Sequence, residues 1–242
     1  MSNPHLSKKA IAPRERLIFA LDVPSVAEGK RVVEELGDSV LFYKLGLQFF
    51  MIGAYYEFID WLRARGKKVF VDLKFFDVPE TVRLAVEQLK DRGATFATVH
   101  GNEQIVKAAV SGSNGLKILA VTVLTSLDED DMKDLGFQCS VAELVLSRAR
   151  RALEAGADGV ISSGIEAEGL RQNLGDSFLI VSPGIRPVAN RLVPDDQKRV
   201  VDVEEAFLKG ADYIVVGRPI RNAANPKEAA ESYQRRIAAL FV

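Results

Sequence analysis

The 242-residue chain has one cysteine, two histidines, no block of basic residues and no long hydrophobic run. Cys139 alone cannot form an internal disulfide, and such cysteine usage is typical of the reducing cytoplasm, where we expect the protein. A net charge of −1 without a concentrated basic surface argues against nucleic acid as a partner. No stretch approaches the ~18 apolar residues of a membrane span, so no membrane partner is expected either.

The composition, with 48% hydrophobic and 27% charged residues, is that of an ordinary globular protein. A single α/β barrel uses about 250 residues, and no shift in composition marks a domain boundary. Residues 1–14 are polar, basic and interrupted by proline, which predicts a flexible amino-terminal arm. Residues 15–242 are predicted to form one folded domain.

Short apolar runs alternate along the chain with amphipathic helical patterns. Eight runs lack polar alternation, as is typical of parallel strands covered on both faces, and they lie at 17–22, 40–44, 69–73, 96–100, 116–121, 159–162, 179–181 and 213–216. Helical spacing of apolar residues occurs at 27–36, 48–65, 82–92, 141–155 and 203–209. Eight βα units predict an α/β fold, a single (β/α)8 TIM barrel. A doubly wound open sheet is the alternative, although the turn after the first strand lacks the GxGxxG motif.

A charged cluster ends the third predicted strand, where the stretch VFVDLKFFDVPET (69–81) brings Asp72, Lys74 and Asp77 within six positions. Asp72 and Lys74 are two residues apart, so on a strand they point to the same side, and Asp77 can return through the following turn. Two nearby carboxylates raise the pKa of one of them unless a cation lies between them, and Lys74, together with Lys44 at the end of the second strand, can supply that cation. This cluster indicates catalysis, and a structural ion-pair network is the alternative.

Other polar residues also follow predicted strands, at the end of a barrel where active sites lie. Each has a structural alternative: a helix N-cap or a turn for Asp22, solvent exposure for Lys44, a structural hydrogen bond for His100, and a helix cap for Thr125 or Ser126. Arg148, Arg150 and Arg151 are predicted to form a solvated helical face.

Two glycine–arginine loops predict a phosphate site. Gly184 and Arg186 follow the seventh strand, and Gly217 and Arg218 follow the eighth. Glycine lets the backbone approach an anion, arginine can bind it through two N–H groups, and these two loops form the usual phosphate site of such barrels. The polar segment 187–199 between them is predicted to be a lid, with disorder as the alternative. A bound metal is not expected, because Lys74 competes with a cation for the same carboxylates.

These motifs resemble the orotidine 5′-phosphate decarboxylase family in its bacterial form. DLKFFDVPET (72–81) resembles the D-x-K-x-x-D-x-P-x-T signature, and the likeness extends from Leu17 to Val242 through LDV (21–23), YKLG (43–46), VTVLTS (121–126), PGIRP (183–187) and VVGRPI (215–220). Phe76 and Glu80 depart from the residues that many members carry. The resemblance implies decarboxylation of orotidine 5′-monophosphate (OMP) to uridine 5′-monophosphate (UMP) in de novo pyrimidine biosynthesis, without metal or cofactor.

The resemblance also implies a role for each site residue. Lys74 would donate the proton to C6 of the pyrimidine, with Asp72 against the departing carboxylate and Thr125 at the pyrimidine edge. Lys44 and Asp22 would contact the ribose. Asp77 and Thr81 would reach into the site of a neighbouring subunit, which implies a homodimer with shared active sites. The phosphate would be bound by Arg186, Gln197, Gly217 and Arg218, with Gln197 on the lid.

Two other functions fit parts of the pattern. Related Mg²⁺-dependent barrels, such as 3-keto-L-gulonate 6-phosphate decarboxylase and hexulose-phosphate synthase, share the D-x-K-x-x-D region but typically carry an acidic residue where this chain has Lys44. A non-catalytic protein that binds phosphate ligands would need the arginines but neither Asp72 nor Lys74.

Overall fold

Eight parallel β-strands close into one barrel in the computed structural model, which describes residues 3–186 and 198–241. The strands are β1 (Leu17–Ala20), β2 (Phe42–Gly46), β3 (Lys68–Phe75), β4 (Phe96–Val99), β5 (Lys117–Val121), β6 (Gly159–Ile161), β7 (Leu179–Ser182) and β8 (Tyr213–Val216). Each strand pairs with the next in the sequence, and β8 pairs with β1. The predicted (β/α)8 barrel is confirmed, and the doubly wound open sheet is wrong.

Helices connect the strands on the outside of the barrel. In the described part of the chain they are α1 (Val26–Leu36), α2 (Leu47–Phe50), α3 (Tyr55–Arg63), α4 (Pro79–Glu87), α5 (Glu103–Gly112), α6 (Glu129–Asp134), α7 (Val141–Glu154), α8 (Ala167–Leu174), α9 (Val203–Leu208), α10 (Arg218–Arg221) and α11 (Pro226–Leu240). No helix among these described residues is long and apolar enough to cross a membrane.

The continuous helix predicted at 48–65 is wrong. The chain leaves α2 at Phe50 and begins α3 at Tyr55, with Gly53 between them at φ +93°. That backbone conformation is strained for side-chain-bearing residues and available to glycine, so Gly53 allows the chain to turn where apolar spacing alone predicts one helix. The helix predicted at 82–92 also ends earlier than expected, at Glu87.

Apolar side chains fill the barrel interior below the carboxyl ends of the strands. This inner cluster contains Ile18, Ala20, Phe42, Phe70, Phe96, Leu119, Leu179, Val181, Tyr213 and Val215. Phe96 and Tyr213 pack edge to face, with ring centroids 5.2 Å apart. A rigid apolar floor therefore supports the polar residues that follow on the same strands.

The amino-terminal segment contacts the opposite end of the barrel through Asp212, which is fully buried. Ser7 Oγ donates a hydrogen bond to Asp212 Oδ1 at 2.5 Å, and Lys9 Nζ lies 3.2 Å from the same oxygen. Arg171 Nη2 lies 2.7 Å from Asp212 Oδ2. The flexible arm at 1–14 stays a prediction, and these contacts argue against free movement of residues 7–9.

Candidate active site

A cleft of about 500 Å³ opens at the carboxyl ends of the strands. Eight of the residues predicted for the site line it, namely Asp22, Lys44, Asp72, Lys74, Thr125, Arg186, Gly217 and Arg218. The remaining predicted residues are elsewhere: Asp77 and Thr81 are exposed and outside the lining, and Gln197 lies outside the described residues. The lining thus combines two carboxylates and two ammonium groups with the two glycine–arginine loops.

Asp72 forms the centre of the charge network in the cleft. Its Oδ1 lies 2.9 Å from Lys74 Nζ, and its Oδ2 lies 3.3 Å from Lys44 Nζ. Lys44 Nζ also lies 3.5 Å from Asp22 Oδ1. The two lysines and two aspartates therefore form an alternating chain of charge, in which each like-charged pair is separated by an opposite charge.

Burial and pairing act in opposite directions on this network. Burial raises the pKa of Asp72, but Lys44 and Lys74 outweigh that effect and leave its pKa below the ordinary value. Burial likewise lowers the pKa of Lys44, but the attraction of Asp72 and Asp22 leaves that pKa raised. Both groups are therefore charged near neutral pH, and the cleft holds fixed charges in surroundings that screen them weakly.

Lys74 has an unusual backbone conformation, with φ at +49°. The β3–β4 pairing shifts register there: Val71 is opposite Ala97, and Phe75 is opposite Val99. Regular strand alternation, which predicts that Asp72 and Lys74 point to the same side, is therefore interrupted between these two residues. Their side chains nevertheless form an ion pair. Strain of this kind persists where neighbouring contacts hold it, and it is frequent at functional sites.

Thr98 of β4 supplies such a contact and was missed by sequence reasoning. Its hydroxyl accepts a hydrogen bond from Lys74 N at 2.9 Å and donates one to Asp72 Oδ1 at 2.9 Å. The available signal was a hydroxyl residue inside the apolar run Phe96–Val99. Its significance depended on the register with β3, which the sequence does not state.

The two glycine–arginine loops lie on the opposite side of the cleft. Gly217 approaches β1 so closely that an added Cβ would lie 3.3 Å from the Ala20 Cβ, and Arg218 begins α10 directly afterwards. Arg186 is buried, and its backbone N donates to Val201 O at 2.9 Å beside a β-bridge between Ile185 and Val201. The chain before and after segment 187–197 is thus held together by backbone hydrogen bonds.

Arg199 joins this phosphate side to the loop after β5, and it too was missed by sequence reasoning. Its Nη2 donates to Val123 O at 2.9 Å and to Leu124 O at 3.0 Å, and its Nη1 forms a largely buried ion pair with Glu166. Its backbone N donates to Thr125 O at 3.2 Å. One arginine therefore fixes the position of the loop that carries Thr125.

A second cavity, of about 780 Å³, adjoins Lys74 and is lined by the segments that follow β3 and β4 and by side chains of α5 and α7. His100 and Arg148 line it, and burial, then Arg148, then Lys74 lower the pKa of His100 below its ordinary value. The prediction of a solvated face is wrong for Arg148, which is partly buried and donates to Thr122 O at 2.7 Å. The cavity opens the surroundings of Lys74 toward the protein surface.

An exposed apolar surface lies next to this cavity. Phe76 and Val78 are 70% and 63% exposed, and Leu84 on α4 is 45% exposed. Asp77 lies between the first two, and its Oδ1 accepts a hydrogen bond from Val78 N at 2.6 Å. Within the described residues of one chain, Lys74 forms its ion pair with Asp72 and not with Asp77.

No group of three or more His, Cys, Asp or Glu side chains suited to a metal ion occurs in 3–186 and 198–241. Asp22 and Asp72 are instead bridged by Lys44. The carboxylates in the cleft are thus arranged around ammonium groups.

Comparison with known proteins identifies one family over nearly the whole chain. The family profile described as "Orotidine 5'-phosphate decarboxylase / HUMPS family" matches residues 15–233. The orotidine 5′-phosphate decarboxylase of Methylococcus capsulatus is 61% identical over 236 residues, covering 98% of this chain and 97% of that protein. The enzyme of the same name from Nitrobacter winogradskyi is 50% identical over 227 residues, covering 93% of each chain.

Solved structures show the same likeness. The crystal structure of orotidine 5′-phosphate decarboxylase from Lactobacillus acidophilus superposes with a TM-score of 0.81 at 37% identity, over 92% of this chain and 99% of that one. An uncharacterized conserved protein from Geobacillus kaustophilus superposes with a TM-score of 0.78 at 31% identity, over 91% of this chain and 99% of that one.

Proposed function

The chain belongs to the orotidine 5′-phosphate decarboxylase / HUMPS family, and on that premise we propose how its cleft carries out the reaction. The protein is an orotidine 5′-phosphate decarboxylase, a carboxy-lyase that converts OMP to UMP and CO₂ in pyrimidine biosynthesis. The observation that carries the mechanism is the placement of Lys74 and Asp72, 2.9 Å apart, in the same cleft as Arg186 and Arg218.

The chemical step needs a cation at one carbon of the pyrimidine. The C6–carboxylate bond breaks, CO₂ leaves without the bonding electrons, and the pair remains on C6, where the ring delocalises it poorly. The Lys74 ammonium stabilises that charge and then transfers its proton to C6, giving UMP and a neutral amine that solvent reprotonates. The net reaction consumes one proton and releases one CO₂.

The neighbouring charges prepare Lys74 for this role. Asp72 holds Lys74 Nζ through Oδ1 and leaves Oδ2 to Lys44, so that the proton donor is fixed before substrate arrives. Asp72 also lies where the substrate carboxylate would approach, and repulsion between the two anions favours loss of CO₂. Lys44 and Asp22 bind the ribose hydroxyls, and Thr125 bonds the pyrimidine edge.

The phosphate binds on the opposite side of the cleft, at Arg186, Gly217 and Arg218. Binding energy from this group, which is remote from C6, orients the base against Lys74. The resemblance assigns Gln197 to the phosphate as well, and that residue lies outside the described part of the chain. Removing the phosphate from the substrate should therefore lower turnover as well as binding.

We further propose a homodimer with shared sites. Asp77 and Thr81 are exposed next to the apolar side chains of Phe76, Val78 and Leu84, a surface that a second copy would cover. The cavity beside Lys74 gives a partner's carboxylate a route toward the reacting atoms. The assembled enzyme is proposed to work in the cytoplasm.

The main alternative function is that of the Mg²⁺-dependent sugar-phosphate enzymes. Lys44 occupies the position between Asp22 and Asp72 where a cation would otherwise balance the carboxylates, which favours the metal-free reaction. The experiment is a steady-state assay of the purified protein with OMP in excess EDTA. Matched assays offer 3-keto-L-gulonate 6-phosphate or hexulose 6-phosphate with Mg²⁺. Turnover of OMP in EDTA supports the proposal, and turnover confined to the sugar phosphates with Mg²⁺ would overturn it.

A further inference from the structure

We propose that Thr98 is a positioning residue, whose one hydroxyl holds both the backbone of Lys74 and the carboxylate of Asp72 in the arrangement that the reaction uses. The inference rests on the proposed function for its kinetic consequences and on geometry for its structural ones. Thr98 lies on β4, is fully buried, and does not line the cleft, so it acts through its two neighbours and not on the substrate.

The hydrogen-bond directions at this hydroxyl are fixed. Lys74 N can only donate, so Thr98 Oγ1 accepts from it at 2.9 Å. The single hydroxyl proton is then free to be donated to Asp72 Oδ1, also at 2.9 Å. That same Oδ1 binds Lys74 Nζ at 2.9 Å. One hydroxyl thus closes a ring that joins the backbone and the side chain of Lys74 through Asp72.

The pairing register between β3 and β4 explains why these hydrogen bonds of Thr98 are needed. Between the paired positions Val71–Ala97 and Phe75–Val99, β3 has the three residues 72–74 where β4 has Thr98 alone. The surplus length forces β3 out of the regular ladder, and Lys74 adopts φ +49°, which is unfavourable for a residue with a side chain. The Thr98 hydroxyl takes the place of the missing backbone acceptor for Lys74 N.

A predicted kinetic signature follows. Without the hydroxyl, Lys74 N loses its acceptor, the strained conformation loses its support, and the ammonium moves relative to C6. A displacement of about 1 Å at a reacting group can reduce turnover roughly 100-fold. Thr98 is not part of the cleft lining that holds Arg186 and Arg218, so substrate binding is expected to be retained. The effect should therefore fall on kcat and leave KM unchanged.

The test compares Thr98→Val, which keeps the shape and removes the hydroxyl, with Thr98→Ser, which keeps the hydroxyl. Thr122→Val is the matched control, since Thr122 is equally buried and its hydroxyl donates to Ile161 O at 2.9 Å, away from Asp72. Thr98→Val is expected to lower kcat for OMP about 100-fold with KM within about 3-fold, and Thr98→Ser to restore most of the loss. Thr122→Val is expected to keep kcat. Equal losses in Thr98→Val and Thr122→Val would overturn the positioning role.

Crystal structures of Thr98→Val and Thr98→Ser separate this inference from the proposed function. In the valine variant Lys74 is expected to leave the left-handed region and its Nζ to lose hydrogen-bond contact with Asp72, whereas the serine variant keeps both. An unchanged Lys74 in the valine variant would overturn the inference, whatever the enzyme does with OMP. Failure of the wild-type protein to turn over OMP would overturn only the proposed function.

Discussion

Replacing Lys74 by alanine tests the proposed proton donor. The variant should remain folded, because Asp72 keeps Lys44 at 3.3 Å and the Thr98 hydroxyl at 2.9 Å and is not left as an unpaired buried charge. The phosphate side of the cleft is untouched. The substitution therefore removes one ammonium from the reacting end of the site and leaves most of the binding surface in place.

The size of the loss follows from the charge geometry. Lys74 Nζ lies 2.9 Å from Asp72 Oδ1, and the reacting C6 must come within similar reach, about 3 Å, to take its proton. At an effective dielectric constant of about 20, a unit charge at that distance stabilises a carbanion by roughly 5 kcal/mol. That energy corresponds to about four powers of ten in rate. Loss of the proton donor adds to it, so kcat should fall at least about 10⁴-fold.

The assay follows OMP consumption under single-turnover and steady-state conditions, and calorimetry measures UMP binding to the same protein. UMP affinity is expected to change less than about 10-fold, because the phosphate contacts remain. Lys133→Ala is the control, since Lys133 is exposed on α6 and pairs with Asp130. A Lys74→Ala enzyme with kcat within 10-fold of wild type would refute the role of Lys74, and loss of UMP binding together with turnover would refute the separation of binding from chemistry.

Three further outcomes are expected. Mixing equal amounts of Lys74→Ala and Asp77→Ala subunits should recover about a quarter of wild-type activity, since half the dimers then have one intact site; no recovery would contradict sharing. The lowered pKa of Asp72 gives stability that is present above about pH 4 and lost as pH falls through the folded-state pKa, so urea unfolding of Asp72→Asn should depend less on pH between 6 and 3 than that of wild type. Arg199→Met should lower the free energy of unfolding by about 3 kcal/mol. Glu166→Gln should lower that free energy less in the Arg199→Met variant than in the wild-type protein, and strictly additive losses would show that the two side chains are uncoupled.

The barrel could be predicted because its signals are local. Strand runs without polar alternation and helical spacing each depend on neighbours in the sequence, and all eight strands were found near their predicted positions. The failures had two causes, one local and one tertiary. Apolar spacing continued across Gly53 although the helix did not, and Arg148 showed no sequence signal for its bond to a strand-end carbonyl.

The site was predicted in part, because strand ends converge in a barrel whatever the details of register. Convergence was enough to bring Asp72, Lys74 and Lys44 together. The roles of Thr98 and Arg199 depended on something else, namely the pairing of one strand with its neighbour and the return of a distant loop. Such contacts follow from three-dimensional packing and leave little trace in the pattern of a single sequence.

The hydrogen isotope that is delivered to C6 tests the mechanism most directly. OMP labelled with ¹³C in its carboxylate is incubated with the enzyme in D₂O and excess EDTA, and NMR follows both products. We expect labelled CO₂ and UMP with one deuteron at C6, at a rate that Lys74→Ala abolishes. No reaction in EDTA, or the same rate of deuterated UMP formation without Lys74, would contradict decarboxylation by a fixed ammonium group.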